Sequence, residues 1–285
     1  MTKAGITYEH RIVVFLDFLG FKDHIDRSVG DPAHVQRIAR AIQTVREFLG
    51  ESSHSQSRQF SQFSDCVVVS YESSEPAAVF DLLMDIAMVQ ARLASMGFLV
   101  RGSVVAGDLH HTNEMVFGPA LVEAHRRESK IAIYPRILVD DALVEVAMRH
   151  PAHHHSGKEE LTYFQGFLVQ CDDGENYIDY LSWNAVVLAI GEESEAYPDY
   201  LRAIARILTR GLQSNDDGVL AKMLWLRGRY LAALDAFFLP PQPPAVVAKF
   251  QDFYDDLATL PRFDAEAVEA EQLLSSASVS SGQAP

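Results

Sequence analysis

Cysteine and long apolar stretches are both scarce in this sequence. Its 285 residues include two cysteines, Cys66 and Cys171, which are too few for the disulfide framework of a small secreted protein. The longest purely apolar runs, such as residues 12–16, are far shorter than the roughly 20 residues that cross a bilayer. The polar opening MTKAGITYEHR lacks the apolar core of a secretion signal. We therefore expect a cytoplasmic protein without a membrane partner.

Positive charge is also in deficit. Lys and Arg together number 24 against 39 Asp and Glu, which gives a formal net charge of -15. A surface of this sign repels a phosphate backbone, so nucleic acid is excluded from the expected partners. With 48% hydrophobic residues, the chain can nevertheless bury a sizeable core, which excludes a disordered or fibrous protein.

The first hundred residues alternate between strand and helix patterns. The run RIVVFLDFLGF at 11–21 predicts a strand buried on both faces, and an amphipathic helix follows up to Gly50. The segments RQFSQF and SDCVVVSY predict a hairpin that turns at Ser64 and Asp65, before a helix over 76–96 and a strand over 98–107. This order, βαββαβ, predicts an α+β fold of the ferredoxin-like type.

The rest of the chain predicts additions to that fold. A catalytic domain is expected over residues 1–150, because a polar loop, PAHHHSGKEE, follows it. Residues 151–262 predict extra strands or a hairpin, from LTYFQGFLVQ and NYIDYLSWNAVVLAI, and then a C-terminal helical extension packed on the first domain. The end of the chain, 263–285, has little bulky apolar content in SSASVSSGQAP and predicts a disordered tail.

Two acids fall at the ends of predicted strands. Asp17 closes the first strand, and Asp65 lies at the hairpin turn. In a split βαβ sheet the first and third strands are neighbours, so the two carboxylates could meet and hold two divalent cations through oxygen. Gly20 follows Asp17 at the passage into a helix, where backbone amides could face phosphate oxygens.

These segments resemble a known family. FLDFLGF, SDCVVVSY, RGSVVAGDLHH and VFGPALVEAHRRE together resemble the catalytic domain of class III nucleotide cyclases, over about residues 9–140. The resemblance implies that Asp17, the backbone carbonyl of Phe18 and Asp65 bind two Mn²⁺ or Mg²⁺ ions. It also implies that the loop Leu19, Gly20 and Phe21 holds the triphosphate.

The sequence departs from that family where adenine is read. At the two positions that carry a Lys and an Asp in adenylyl cyclases, it has Ser61 and Met115, which cannot make the same charged contacts. The position of the ribose-contacting Asn is Val122. Arg126 matches the catalytic Arg of the family, whose guanidinium could stabilise charge on the α-phosphate. Further candidates for triphosphate contacts are Arg101, Lys130 and Arg136.

With these departures the chain is most similar to the pyrimidine cyclases of bacterial anti-phage defence, the Pycsar type, which share segments like GPALVEA, YPRI and IDYLSW. That resemblance implies a metal-dependent homodimer with its sites at the interface. It would convert UTP, or CTP, to the 3′,5′-cyclic nucleotide and pyrophosphate, and its product would act on a cyclic-nucleotide-gated effector.

Two alternatives stay open at this point. A purine cyclase with unusual base contacts would keep the same metal acids. A cyclase-like domain without catalysis could serve as a nucleotide-binding or dimerisation module. A diguanylate cyclase is set aside, because its GG[DE]EF-type hairpin is absent and the turn reads FSD.

Overall fold

A computed structural model of the chain describes residues 6–51, 55–190 and 196–281. The chain forms two compact units, Met1–Tyr180 and Leu181–Pro285. The first unit therefore extends past the boundary expected at 150. The reason is that two strands beyond that point pair with the sheet of the first unit.

The first unit begins with the alternation expected from the sequence. Its first elements are β1 (Glu9–Phe18), α1 (Phe21–Ser28), α2 (Pro32–Val45), a π-helical turn (Arg46–Gly50), β2 (Gln59–Phe63), β3 (Cys66–Glu72), α3 (Ala78–Ser95) and β4 (Val100–His111). Its later elements are β5 (Val116–Phe117), α4 (Pro119–Lys130), β6 (Ile137–Val139), α5 (Ala142–Arg149), α6 (Gly157–Gly166), β7 (Leu168–Gln170) and β8 (Asn176–Ile178).

The strands form one mixed sheet. Among the described residues its order is β2-β3-β1-β4-β6-β8-β7, and β5 pairs with β4. β1 is antiparallel to both β3 and β4, whereas β4 and β6 are parallel. The predicted α+β class, with its ferredoxin-like βαββαβ order and extra strands, is confirmed. As predicted, the first and third strands are neighbours at the centre of the sheet.

Alternate residues of β1 supply two separate cores. The even-numbered residues from Ile12 to Phe18 pack against α2 and α3, whose inner residues include Ile38 and Leu82. The odd-numbered Val13 packs with the inner face of α4. Because successive side chains of a strand point to opposite faces, the buried apolar residues of β1 alternate between the two cores.

A glycine fixes where α4 lies. Gly118, directly before the helix, has φ 150°, and a Cβ there would lie 2.7 Å from the backbone oxygen of Asp108. Only a residue without a side chain fits this close approach to β4. The chain can therefore turn back and lay α4 on the second face of the sheet.

The second unit is helical over its described residues. Its elements are α7 (Trp183–Ile190), α8 (Tyr197–Gly211), α9 (Asp217–Asp235), α10 (Pro244–Lys249), α11 (Gln251–Ala258) and α12 (Asp264–Ser281). No helix in the described part of the chain is long and apolar enough to cross a membrane.

The expected disordered tail is largely a helix. α12 covers most of 263–285, and its Ala267 and Ala270 are buried; residues 282–285 lie outside the described ones. The segment AEAVEAEQLL consists of strong helix formers, which outweigh the polar composition of the last residues. Parts of the two stretches that predicted strands are also helical: LTYFQG ends α6, and WNAVVLAI forms α7. The predicted hairpin between them is present as β7 and β8.

Candidate functional site

Asp17 lies between two strands at the end of β1. It pairs with Cys66 of β3 on one side and with Arg101 of β4 on the other. Its carboxylate accepts a hydrogen bond from the Cys66 thiol at 3.5 Å and one from the Arg101 guanidinium at 3.3 Å. The side chain is 16% exposed, so the acid is mostly withdrawn from solvent but remains accessible.

Asp65 lies next to Asp17 through the β2–β3 turn. Its backbone oxygen accepts a hydrogen bond from the Phe18 amide at 3.4 Å. One potential ligand atom each from Asp17, Asp65 and Cys66 lie within 4.8 Å of one another. The structure thus brings the two sequence-predicted acids together and adds a thiol to them.

Arg101 neutralises only part of this negative charge. Its Nε lies 3.3 Å from Asp17 and 2.7 Å from an oxygen of Glu128, which is 3% exposed. Two carboxylates, those of Asp17 and Glu128, therefore contact one guanidinium, and Asp65 adds a third acid beside Asp17.

The pKa shifts have the signs expected for such an excess of buried acid. Burial raises the pKa of Asp17, and the charge of Asp65 raises it further, although Arg101 opposes both effects. Burial also raises the pKa of Glu128, again against Arg101. Burial and the two aspartates raise the pKa of the Cys66 thiol to about 12. Each shift has the direction that an additional positive charge would reverse.

The donor set fits a divalent cation of the Mg²⁺ or Mn²⁺ type. Such cations prefer carboxylate and carbonyl oxygens, and Asp17 and Asp65 offer two carboxylates within the distance that one ion spans. The backbone of Phe18 is adjacent, while its ring is buried in the core. Its side chain is therefore structural, and only its main chain is available to a ligand.

The loop after Asp17 ends in a free helix terminus. Gly20, with φ 68°, is the N-cap residue of α1. Because glycine has no side chain, it cannot cap the first amides of the helix. The Leu19 amide donates to the Leu99 carbonyl at 2.8 Å, so that amide is already used. Phe21 begins α1, whose first amides have no partner within the helix. The amides that can meet a phosphate therefore lie at Gly20, Phe21 and the residues directly after them.

The two base-pocket candidates are linked through His111 at the end of β4. Ser61 is half-buried on β2, and its hydroxyl lies 3.0 Å from Nε2 of His111. Met115 is exposed in the short turn that joins β4 to β5, where its carbonyl accepts from the Thr112 amide at 2.9 Å. His111 closes β4 directly before that turn.

The other basic candidates differ in their surroundings. Arg126 is 51% exposed on α4, and two of its nitrogens lie 2.7 Å from the two carboxylate oxygens of Glu123. Lys130 is exposed at the end of α4. Arg136 is buried and holds Asp173 and the Ile131 carbonyl, which gives it a structural role within the fold. Val122 is 70% exposed.

Sequence reasoning missed Glu128 and His111, although each carries a signal. Glu128 follows Ala120 and Ala124 at intervals of four on α4, and all three are buried, so helix periodicity predicts an inward carboxylate. His111 shares the odd-numbered face of β4 with Arg101, which follows from strand alternation.

No protein-family model matches the sequence, and no curated protein matches it. Among solved structures, the chain is similar to the adenylyl cyclase CyaB from P. aeruginosa, with 12% identity over 60% of this chain and 93% of that one and a TM-score of 0.40. It is similar to a bacterial light-regulated adenylyl cyclase, with 10% identity over 57% of each chain and a TM-score of 0.38.

A third similar structure is a class III adenylyl cyclase-like ATP-binding protein from Pseudomonas aeruginosa. The identity is 12%, the TM-score is 0.39, and the match covers 65% of this chain and 41% of that one. The chain thus spans less than two thirds of the length of these last two proteins.

Proposed function

We propose that this protein is a nucleotide cyclase that converts a nucleoside triphosphate to its 3′,5′-cyclic nucleotide and pyrophosphate. The observation that carries the proposal is the meeting of Asp17 and Asp65 at the end of the central strands, with ligand atoms within 4.8 Å of one another. The free N-terminus of α1 next to them supports a phosphate-bearing substrate, because helix amides and divalent cations both stabilise phosphate charge.

In this proposal each part of the site has a distinct role. Asp17, Asp65 and the Phe18 carbonyl hold the cations. Bound there, Mn²⁺ or Mg²⁺ would supply a lowered pKa for the ribose 3′-hydroxyl and positive charge for the phosphates. Gly20 and the following amides hold the triphosphate. Arg101 favours the ionised form of Asp17 and orients it, since its guanidinium lies 3.3 Å from that carboxylate.

The net charge of the chain makes those cations indispensable for binding. The protein carries a formal charge of -15, and a triphosphate adds about four negative charges, which repel the protein and the site acids. Binding of the triphosphate should therefore disappear when divalent cations are removed with EDTA.

We further propose a pyrimidine substrate, UTP before CTP. By the resemblance, Ser61 and Met115 occupy the positions of the Lys and the Asp that contact adenine in adenylyl cyclases. Neither side chain can make the same charged contacts with the base. The same resemblance carries the proposed biological role. The protein would be a cytoplasmic enzyme of anti-phage defence whose product, cyclic UMP, acts on a gated effector.

A homodimer is part of this proposal. Arg126 and Val122 lie on the outer surface of α4, and the guanidinium of Arg126 is held by Glu123. From that surface, Arg126 of one copy could contact the triphosphate bound to a second copy. Its guanidinium would then stabilise charge on the α-phosphate. This arrangement would put each site at the interface between two copies.

The test is incubation of the protein with each of the four nucleoside triphosphates, in separate reactions with Mn²⁺ and Mg²⁺. Products are resolved by mass, and pyrophosphate is measured. We expect cyclic UMP as the main product. Cyclic AMP or GMP as the main product would instead establish the purine alternative. Tight nucleotide binding without pyrophosphate release would establish a binding or dimerisation module.

A further inference from the structure

A line of hydrogen bonds crosses the α4 side of the sheet, away from the acids. It joins Arg11 of β1, Ser70 of β3, His111 of β4 and Ser61 of β2. The Arg11 Nε lies 2.8 Å from the Ser70 hydroxyl, which lies 2.8 Å from Nδ1 of His111. Nε2 of His111 lies 3.0 Å from the Ser61 hydroxyl.

The first two members fix the direction of these hydrogen bonds. Arg11 can only donate, so the Ser70 oxygen accepts from it. Ser70 is fully buried, and its own hydrogen needs an acceptor. Among the described residues, the atom that lies within hydrogen-bond distance and can accept it is Nδ1 of His111.

His111 must then carry its proton on the other nitrogen. Burial and the charge of Arg11 lower the pKa of His111 to about 4, so the ring is neutral near pH 7 and has one N–H. With Nδ1 accepting from Ser70, that N–H is on Nε2 and donates to Ser61. The Ser61 oxygen thus accepts from within the protein, and its hydrogen is left to donate outward.

Ser61 can use that hydrogen because of where it stands. It is half-buried, unlike the fully buried Ser70. It lies on the same face of the sheet as Asp17, and His111 joins it to the hairpin that carries Met115. A ligand that contacts the acids with its phosphates would reach Ser61 by extending along this face.

We propose that His111 is a positioning residue that presents Ser61 as a hydrogen-bond donor, and that this donor selects a nucleobase with a keto oxygen over one with an amino group in the same place. This inference rests on the proposed nucleotide-binding function and gives it a physical basis for specificity. Uracil offers a keto oxygen where cytosine carries an amine, so UTP is favoured over CTP. An amine facing Ser61 could use only the remaining lone pair of its oxygen and would leave the hydroxyl hydrogen without the acceptor that a keto oxygen provides, so it is bound less tightly.

Relative binding of UTP and CTP tests the proposal without requiring turnover. Calorimetry with Mn²⁺ would compare the intact chain with Ser61→Ala, His111→Asn and His111→Gln. The intact chain should bind UTP at least about tenfold more tightly than CTP, as expected for one discriminating hydrogen bond. Ser61→Ala and His111→Asn should bring the two affinities together.

His111→Gln is the matched control for folding and packing. The amide nitrogen of Gln can take the place of Nε2 and still donate to Ser61, whereas Asn is too short to reach it. A preference kept in His111→Gln and lost in His111→Asn supports the positioning role. Tighter binding of CTP by the intact chain, or an unchanged ratio in Ser61→Ala, would overturn it.

The hydrogen-bond direction has a direct readout in the free protein. Nitrogen NMR of the His111 ring should show a proton on Nε2 and none on Nδ1, and the opposite tautomer would overturn the inference. The outcomes also separate the two proposals. If the intact chain binds no nucleotide, both fail. If it makes cyclic UMP but the variants keep the UTP to CTP ratio, only the role of His111 and Ser61 fails.

Discussion

The two faces of the central sheet are built from the same strands and differ in almost every other respect. The face toward α2 and α3 is the larger apolar core, to which β1 contributes Ile12, Val14 and Leu16, and it encloses one buried polar pair, Tyr71 and Asp85. The face toward α4 has a smaller apolar cluster around Val13. Its remaining positions carry the buried or half-buried polar groups: Arg11, Asp17, Ser61, Ser70, Arg101, His111 and Glu128.

This difference teaches that strand alternation separates stability from chemistry in this fold. Side chains of one parity contribute hydrophobic burial, which is the main favourable term in folding. Side chains of the other parity include polar groups whose burial costs free energy unless they are paired. A substitution on each face should therefore affect a different measurement.

The largest effect is expected from the acid at the hairpin turn. Asp65→Asn should reduce cyclase turnover by about a thousandfold or more, because an amide is a weak ligand for a divalent cation whose contribution is several kcal/mol. The melting temperature should stay close to that of the parent. Asp65 contacts Phe18 through its backbone oxygen, which the substitution leaves in place.

Glu145→Gln is the matched control for loss of one negative charge. Glu145 pairs with Arg149 on the exposed side of α5, where an ion pair contributes little. Its turnover and melting temperature should both match the parent. Full activity of Asp65→Asn would exclude the two-cation mechanism.

The next effect belongs to the apolar face. Leu82→Ala, at a fully buried position of α3, should lower the free energy of unfolding by about 2–5 kcal/mol through lost burial and the cavity left behind. Turnover per folded molecule should be nearly unchanged, because Leu82 faces away from the acids. Urea denaturation and turnover on the same samples would measure both quantities.

The control for this substitution is Val122→Ala on α4. Val122 is 70% exposed, so its truncation should change the free energy of unfolding by less than about 0.5 kcal/mol. An equal loss of stability in the two variants would contradict the assignment of the main core to the α2 and α3 face.

The sequence predicts the first half of the fold well because its patterns are local. The strand before Asp17 and the α3 helix each have a sustained period, and the turn at Ser64 and Asp65 separates two β-rich runs. The compact first unit extends beyond residue 150 because β7 and β8, of three residues each, join its sheet. Their place in the sheet depends on pairing with β6, which is not a local property.

The meeting of Asp17 and Asp65 could be predicted for a similar reason, whereas the positions of Glu128 and His111 could not. Asp17 and Asp65 stand at strand ends that neighbouring strands must bring together. Glu128 and His111 join the face only through the packing of α4 and the course of β4. Their periodicity shows which side they face, but not the residues they contact.

The smallest effect concerns stability against pH on the polar face. The pKa of His111 is lowered to about 4 from an ordinary value of 6.5, by burial first and then by Arg11 and His110. The folded state therefore binds fewer protons than the unfolded state between these values, so stability falls as pH drops from 6.5 toward 4, by about 3 kcal/mol at most.

His111→Gln should remove this part of the dependence of stability on pH, measured by urea denaturation at pH 7.5, 5.5 and 4.5. His154→Gln, in an exposed loop, should keep it, because this substitution leaves His111 and its surroundings in place. A slope that persists in His111→Gln would mean that other groups carry it and that the polar face tolerates a charged His111.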